Sequence, residues 1–304
     1  MCMIFNSEGG KKMKLISIII PVYNNPKELE LTLNSILLQD FSLEEIEVLV
    51  VDDGSTIDME KVTNCFADKF LIRYFWQQDK GFCPGTARNM GIRVASGAVC
   101  VFLDSGVILT KKCLEKHFQR YQEYGEKLCV IGYTLGNDTC SDLDEMRQII
   151  DKHTPDEAEI IMRERNMLDG RERMYKNMGD DLALWPAPYT MLWSMHFSVP
   201  TKFMQENSLY FDEYFSTWGC EDNDFGITLL KCGARYVLAR DAVAIHYPAH
   251  ARSYDKLHND PDFRAGWQKN REYLRKKYAD DKVVQRWLQK GTWAANHPDS
   301  NTQE

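Results

Sequence analysis

Several clusters of polar side chains in this sequence have the types and spacing to do chemistry. The first is Asp52-Asp53-Gly54-Ser55, which closes an apolar run. An ionised carboxylate only accepts hydrogen bonds, so two of them beside a flexible turn suit the N–H of a base or the hydroxyls of a ribose. An ordinary Asx turn explains the same letters. The second is Asp104, in Asp104-Ser105-Gly106 at the end of another apolar run. A divalent cation held by oxygen ligands there could neutralise a diphosphate and stabilise its departure. One carboxylate is a poor site by itself. His246, which ends Ala242–His246, is the candidate second ligand, or else a core histidine satisfied locally.

The third cluster is Trp218-Gly219-Cys220-Glu221-Asp222-Asn223-Asp224. Gly219 permits a sharp turn, and the acids stand where a helix begins and its exposed N–H groups favour negative charge. Adjacent carboxylates can divide labour, one orienting a hydroxyl while the other takes its proton. An acidic helix start accounts for these letters as well. The fourth runs from Gly81 to Asn89, where a glycine-bearing loop enters a helix and can bring backbone N–H groups and Arg88 to phosphate oxygens. It is neither a dinucleotide fingerprint nor a Walker loop, and no Gly-x-Ser-x-Gly supplies a hydrolase nucleophile.

The elements that must position these groups alternate. Leu15–Val22, Ile46–Val51, Lys69–Trp76 and Ala98–Leu103 have strand length, and helical spacing lies between them at Leu29, Leu33, Ile36 and Leu37 and again over Thr86–Ala95. Continuous apolar strands separated by helices predict an α/β fold whose central sheet is mostly parallel and flanked by helices. Ligands in such sheets bind beyond the carboxyl ends of the strands, which is where the polar clusters fall. Further helices are expected over Cys113–Tyr124, from Phe225, and through Pro261–Gly291. A short run follows at Leu128–Tyr133, and short strands are expected at Tyr236–Leu238 and Ala242–His246. The charge-rich stretch from Ser141 to Asp181 reads as one or two solvent-facing helices, which an acceptor-binding lid would also resemble. Trp185, Tyr189 and Trp193 read mainly as core, with sugar stacking as the alternative.

The 304 residues carry a formal net charge of −8, which argues against a polynucleotide partner. Nine cysteines occur without a CxxC pair or the spacing of a disulfide scaffold, so buried thiols such as Cys100 and Cys129 are expected to act as small hydrophobes. Met1 to Lys14 lacks a signal-like apolar stretch and Leu15–Val22 is too short to span a bilayer. The expectation is a cytoplasmic protein without a transmembrane segment, with peripheral membrane contact left open. A homodimer is compatible with the sequence, which does not demand one.

Taken in order, Ser17-Ile18-Ile19-Ile20-Pro21-Val22-Tyr23-Asn24, Val50-Val51-Asp52-Asp53-Gly54-Ser55 and Gly85-Thr86-Ala87-Arg88-Asn89-Met90-Gly91 resemble the opening strand, base-binding strand end and donor-side helix of family 2 of the inverting glycosyltransferases. The resemblance covers roughly residues 15 to 250 and implies the GT-A nucleotide-diphospho-sugar transferase fold. It also implies a glycosyltransferase domain over 13–250, with a nucleotide-binding half to about 107, an acceptor-binding half from about 108, and a helical extension over 251–304. By the same resemblance Pro21, Tyr23 and one or both of Asp52 and Asp53 hold base and ribose, and Arg88 lies against the donor. Asp104 starts the family's Asp-x-Asp metal motif, and His246 matches a histidine that completes metal coordination. Trp218-Gly219-Cys220-Glu221-Asp222 is similar to the motif of the galactosyl- and N-acetylgalactosaminyl-transferring relatives, in which Glu221 would bind acceptor and Asp222 would be the general base. The sequence departs from the pattern at Gly106, which has no side chain where the second aspartate stands.

The implied reaction is a single displacement from a nucleotide-diphosphate sugar, expected to be a UDP-linked hexose or N-acetylhexosamine, onto a saccharide, small-molecule or peptide acceptor. Mn²⁺ or Mg²⁺ is the implied cofactor, with Gly106 weakening its site. Two other readings compete. A nucleotidyltransferase would release pyrophosphate, but the glycine-rich lysine loop it needs near the first strand is missing. A degenerate GT-A domain would bind a sugar nucleotide or a protein partner without turnover.

Overall fold

The computed structural model describes residues 14–136, 142–248 and 260–297. Cys2, Cys140 and the expected boundary at 250/251 lie outside the described residues. The first half alternates as β1 (Ile16–Val22), α1 (Pro26–Leu37), β2 (Ile46–Asp52), α2 (Met59–Asn64), β3 (Leu71–Trp76), α3 (Pro84–Val94) and β4 (Val99–Leu103). Then come β5 (Val107–Leu109), α4 (Cys113–Tyr124) and β6 (Leu128–Leu135). Helices α5 (Leu143–Lys152), α6 (Pro155–Glu164) and α7 (Glu172–Met178) lead to β7 (His196–Pro200) and α8 (Thr201–Glu206). The chain continues through α9 (Glu221–Lys231), β8 (Arg235–His246), α10 (Pro261–Lys277) and α11 (Lys282–Asn296).

All eight strands join one sheet in the order β3-β2-β1-β4-β7-β6-β8-β5. The pairs β1/β2, β2/β3, β1/β4 and β6/β8 are parallel, while β7 is antiparallel to both β4 and β6, and β5 to β8. Alternation along β1 sorts its side chains between two cores. Ile16, Ile18 and Ile20 pack with Leu29, Leu33 and Ile36 of α1, and Ile19 packs with Ile92 of α3 on the other face. These side chains are fully buried, so truncating Leu33 to alanine should cost about 2–5 kcal/mol.

The structure differs from the sequence expectations in several places, beginning with two strands they did not include, β5 and β7. The two short strands near the end of the sheet are a single strand, β8. Its register against β6 jumps between the pairs Gly132↔Ala239 and Tyr133↔Val243, so Arg240 and Asp241 bulge out to meet solvent. The charged stretch forms three helices rather than one or two, and each has a buried face: Met146, Ile149 and Ile150 on α5, Ala158 and Met162 on α6, Tyr175 and Met178 on α7. Asp169 and Arg171 from this stretch form a fully buried ion pair at 2.7 Å, tied to the amide of Thr134 and the carbonyl of Met191. The expected helical segment over 261–291 is two helices, α10 and α11. Tyr189 is buried core as expected, while Trp185 and Trp193 are half-buried. Among the described residues no helix is long and apolar enough to cross a membrane.

Candidate functional site

Strands leave β1 in opposite directions across the sheet, β2 and β3 to one side and β4 to the other. That switch of order opens a crevice beyond the carboxyl ends of β1 and β4. Pro21 lies past the last β1/β4 partner pair, Ile19↔Phe102, on the stretch where β1 is paired to β2 alone. A residue without an N–H is tolerated there. Tyr23 follows with its ring 47% exposed, and its hydroxyl donates to Asp79 Oδ2 at 3.1 Å.

Asp52 and Asp53 are both buried at the end of β2. Asp52 Oδ1 accepts from the Ser55 amide at 2.7 Å and Oδ2 from the Tyr74 hydroxyl at 2.6 Å. The local turn bond that the plainer reading anticipates is thus present. Asp53 Oδ1 accepts from Gln77 Nε2 at 2.6 Å and Oδ2 from the Cys83 amide at 2.8 Å, which ties β2 to the loop entering α3. Burial pushes the Asp53 carboxyl upward against the pull of these bonds, and the neighbouring charge of Asp79 adds to the rise. A carboxylate has about four acceptor positions, so each aspartate retains capacity after serving the fold.

At the end of β4 the charges concentrate. Arg88 is 2% exposed on α3, lies 5.3 Å over the Phe211 ring, and donates from Nη2 to Asp104 Oδ1 at 2.6 Å. Its Nε and Nη1 are buried without a partner, and so is Glu221 Oε2. Unmade hydrogen bonds of this kind cost on the order of 1–3 kcal/mol each, more for charged groups, and a polar ligand discharges that cost. Glu221 and Asp222 open α9, preceded by Gly219 (φ +90°) and Cys220 (φ +74°). A left-handed non-glycine at a helix cap is strained, so the chain enters α9 through an uncommon backbone conformation directly before the two carboxyls.

Burial raises the carboxyls of both residues: Glu221 to about 8, helped by the charge of Asp222, and Asp222 to about 6. The Arg88 guanidinium opposes the rise in both, and the Asp104 charge adds to it. Asp222 also accepts from the Asn223 amide at 2.7 Å, which favours its ionised form. The structure therefore brings Arg88, Asp104, Glu221 and Asp222 within electrostatic reach of one another. Asp224, from the same acidic run, is separate: Lys277 Nζ lies 2.8 Å from it and the Tyr278 hydroxyl donates to it at 2.8 Å, which fastens α9 to α10.

His246 ends β8 opposite Val107 of β5, and the following Tyr247 amide donates to the Gly106 carbonyl at 2.8 Å. The turn of Asp104 and the end of β8 are thus neighbours although Asp104 and His246 lie 142 positions apart in the sequence. Gly106 has φ +100°, where any L side chain is strained, and a Cβ there would sit 3.4 Å from Glu28 Cβ. The departure from the Asp-x-Asp pattern is thus matched by the backbone.

Residues 17–166 match the family described as Glycosyl transferase family 2. Validoxylamine A glucosyltransferase of Streptomyces hygroscopicus subsp. jinggangensis (strain 5008) is 30% identical over 243 residues, covering 79% of this chain and 57% of that protein. The chain belongs to glycosyl transferase family 2. The S. aureus TarS 1-349 structure in complex with UDP-GlcNAc superposes on this family 2 chain with a TM-score of 0.62 at 18% identity, over 94% of this chain and 74% of that one. A mannosyltransferase from Pyrobaculum calidifontis, solved with GDP-Man and Mn²⁺, superposes with a TM-score of 0.60 at 15% identity, over 91% and 70%. At such identities the likeness is one of fold, and the fold is GT-A. This family 2 chain spans about half the length of the curated glucosyltransferases it matches.

Sequence reasoning about this family 2 chain missed Asp79, which holds the Tyr23 hydroxyl and accepts from the Gly81 amide at 2.9 Å. The signal was there to find: Gln77-Gln78-Asp79-Lys80-Gly81 is a polar run with a glycine just after β3, the same placement that singles out the ends of β2 and β4.

Proposed function

We propose that the chain transfers a hexosyl or N-acetylhexosaminyl group from a UDP-linked donor to a hydroxyl-bearing acceptor, with inversion and with Asp222 as general base. The observation that carries this reading is the carboxyl pair at the start of α9, Glu221 buried and Asp222 half-buried, set against the Arg88–Asp104 ion pair. A base works best when its pKa lies near the pH at which it operates, and burial raises Asp222 into that range.

The acceptor oxygen bonds to the anomeric carbon as its proton passes to the Asp222 carboxylate. The bond from that carbon to the diphosphate oxygen breaks, and UDP leaves. Glu221, whose carboxyl burial and the neighbouring Asp222 charge raise, hydrogen-bonds to the acceptor hydroxyl and orients it. Pro21, Tyr23, Asp52 and Asp53 hold base and ribose. The unpaired nitrogens of Arg88 meet the oxygens of the leaving diphosphate, where negative charge develops.

A divalent cation fits the donor set in a limited way: such ions are held by one or two protein ligands together with substrate phosphates and water. Asp104 and His246 would hold Mn²⁺ or Mg²⁺, which when bound neutralises diphosphate charge. The donor is assigned to the first half of the chain and the acceptor, a saccharide, small molecule or peptide, to the second, with α10 and α11 as an extension buttressing α9. A cytoplasmic location accords with a UDP-sugar donor.

Gly106 is the observation that favours the second reading, binding without turnover. The deciding experiment is calorimetry of UDP, GDP, CDP and dTDP with Mn²⁺ and with chelator, followed by incubation with UDP-hexoses and an acceptor panel. UDP binding with release of UDP from the donor sugar and a β-linked product from an α-linked donor supports the proposal. Binding without consumption of any donor favours the second reading, and no nucleotide binding refutes both.

A further inference from the structure

A second group of ligand-type side chains lies inside the sheet core, apart from the crevice. Cys113, His117 and His196 are all fully buried, and one ligand atom from each lies within 4.8 Å of the others. Cys113 and His117 are four residues apart on α4 and so share a face of that helix, while His196 opens β7. His117 Nε2 is 2.9 Å from His196 Nε2, and Cys113 Sγ is 3.3 Å from the same nitrogen.

This geometry is awkward for hydrogen bonds alone. A neutral imidazole nitrogen has either one in-plane lone pair or one proton, so His196 Nε2 can make one good hydrogen bond, yet it faces two partners. A cation accepts all three lone pairs at once. Each Nδ1 lies against a hydroxyl, which can fix the ring orientation and leave Nε2 as the ligand atom. His117 Nδ1 is 2.8 Å from Ser198 Oγ, itself 2.6 Å from the Tyr121 hydroxyl, and His196 Nδ1 is 3.2 Å from Thr134 Oγ1. Room for the His196 ring comes from Gly132, where a Cβ would fall 2.2 Å from the ring.

We infer that Cys113, His117 and His196 form a buried site for one thiophilic d¹⁰ cation, Zn²⁺ or Cu⁺, that pins α4 to the middle of the sheet. Thiolate and imidazole ligands select these ions over Mg²⁺ or Mn²⁺. Cu⁺ with three ligands would leave the site neutral. Zn²⁺ would take its fourth ligand from a neighbouring hydroxyl or from water. His196 pairs with Leu103 in the sheet, one residue before Asp104, and the Asp104 amide donates to the Met195 carbonyl. The two sites therefore share a strand end, and a strong chelator that slows turnover reports on both at once.

The test uses the full chain without an affinity tag, purified under reducing conditions from zinc- and copper-replete culture and dialysed against EDTA. Elemental analysis should find about one equivalent of zinc or copper per chain, and X-ray absorption at that metal's edge should give one sulfur and two nitrogen neighbours at about 2.0–2.3 Å. The element found decides between the two ions. Cys113→Ala and His117→Ala should each lower retention at least tenfold, whereas Asp104→Ala should leave it unchanged. Absence of metal, with no thiolate-to-cobalt absorption when Co²⁺ is added to the reduced chain, overturns the inference. So does a shell without sulfur, or metal lost on Asp104→Ala. The absorption measurement needs no variant, so a misfolded Cys113→Ala leaves the test intact, and none of these readouts depends on glycosyl transfer.

Discussion

Asp222→Asn separates catalysis from stability in opposite directions. The amide keeps the size of the side chain and can still accept from the Asn223 N–H at 2.7 Å, so the start of α9 should hold its shape. Removing a positioned general base typically costs 10²–10⁴-fold in turnover, and kcat should fall by about that factor while donor affinity changes little.

Stability should move the other way. Asp222 is raised from 3.8 to about 6 in the folded chain. A carboxyl raised in this way binds its proton more tightly folded than unfolded, so it destabilises once pH exceeds the unfolded value and does so fully above the folded one. At 1.36 kcal/mol per unit the upper bound at neutral pH is about 3 kcal/mol, and solvent reaching the half-buried side chain reduces it to about 1–3 kcal/mol. Asp222→Asn removes this penalty and should raise the melting temperature by about 2–6 °C at pH 7.5, with the gain vanishing toward pH 4. The assay pairs steady-state kinetics with calorimetric melting across pH 4–8. The wild-type kcat should rise with pH through about 6, and the variant should lose that limb. A variant that keeps wild-type turnover, or that melts lower at pH 7.5, refutes the assignment of Asp222 as a general base raised by desolvation.

Other substitutions probe the remaining parts. Arg88→Met should weaken UDP binding tenfold or more by calorimetry yet change unfolding free energy by only about 1–2 kcal/mol, because the guanidinium it removes is incompletely hydrogen-bonded. Lys277→Met leaves the buried Asp224 carboxylate without its cation and should cost about 3–5 kcal/mol in urea denaturation, since Tyr278 alone then faces it. Gly106→Asp restores the acid of the Asp-x-Asp pattern on paper, but φ +100° should make it cost about 1–3 kcal/mol without tightening Mn²⁺ binding, as read by denaturation and metal titration.

Much of the donor side was legible in the sequence for a physical reason: parallel strands buried on both faces are apolar throughout, so β1, β2 and β4 announce themselves and their polar ends mark the crevice. β7 was not legible, because His196 and Ser198 are polar letters in a strand that turns them into the core, where they bond to His117 rather than to water. The charged stretch was read as solvent-facing because the count of charges hid the buried ion pair of Asp169 and Arg171, and pairing cannot be read from composition. The single β8 was split in two because its exposed bulge at Arg240-Asp241 interrupts the apolar run. Within the crevice, Arg88, Asp104, Glu221 and Asp222 could each be named in advance. The Arg88–Asp104 ion pair could not, since only the folded chain brings α3 against the end of β4.

The insertion of β7 also sets an order of events during synthesis. β4 emerges early with one edge already claimed by β1, but its other edge must wait for residues 196–200, and β6 has no route into the sheet until then. For nearly a hundred residues of elongation, Val99–Leu103 presents a bare apolar edge of the kind that recruits other chains. A nascent chain stalled before His196 should therefore need chaperone cover, and a truncation at that point should be recovered as aggregate although every residue of β1 to β4 is present.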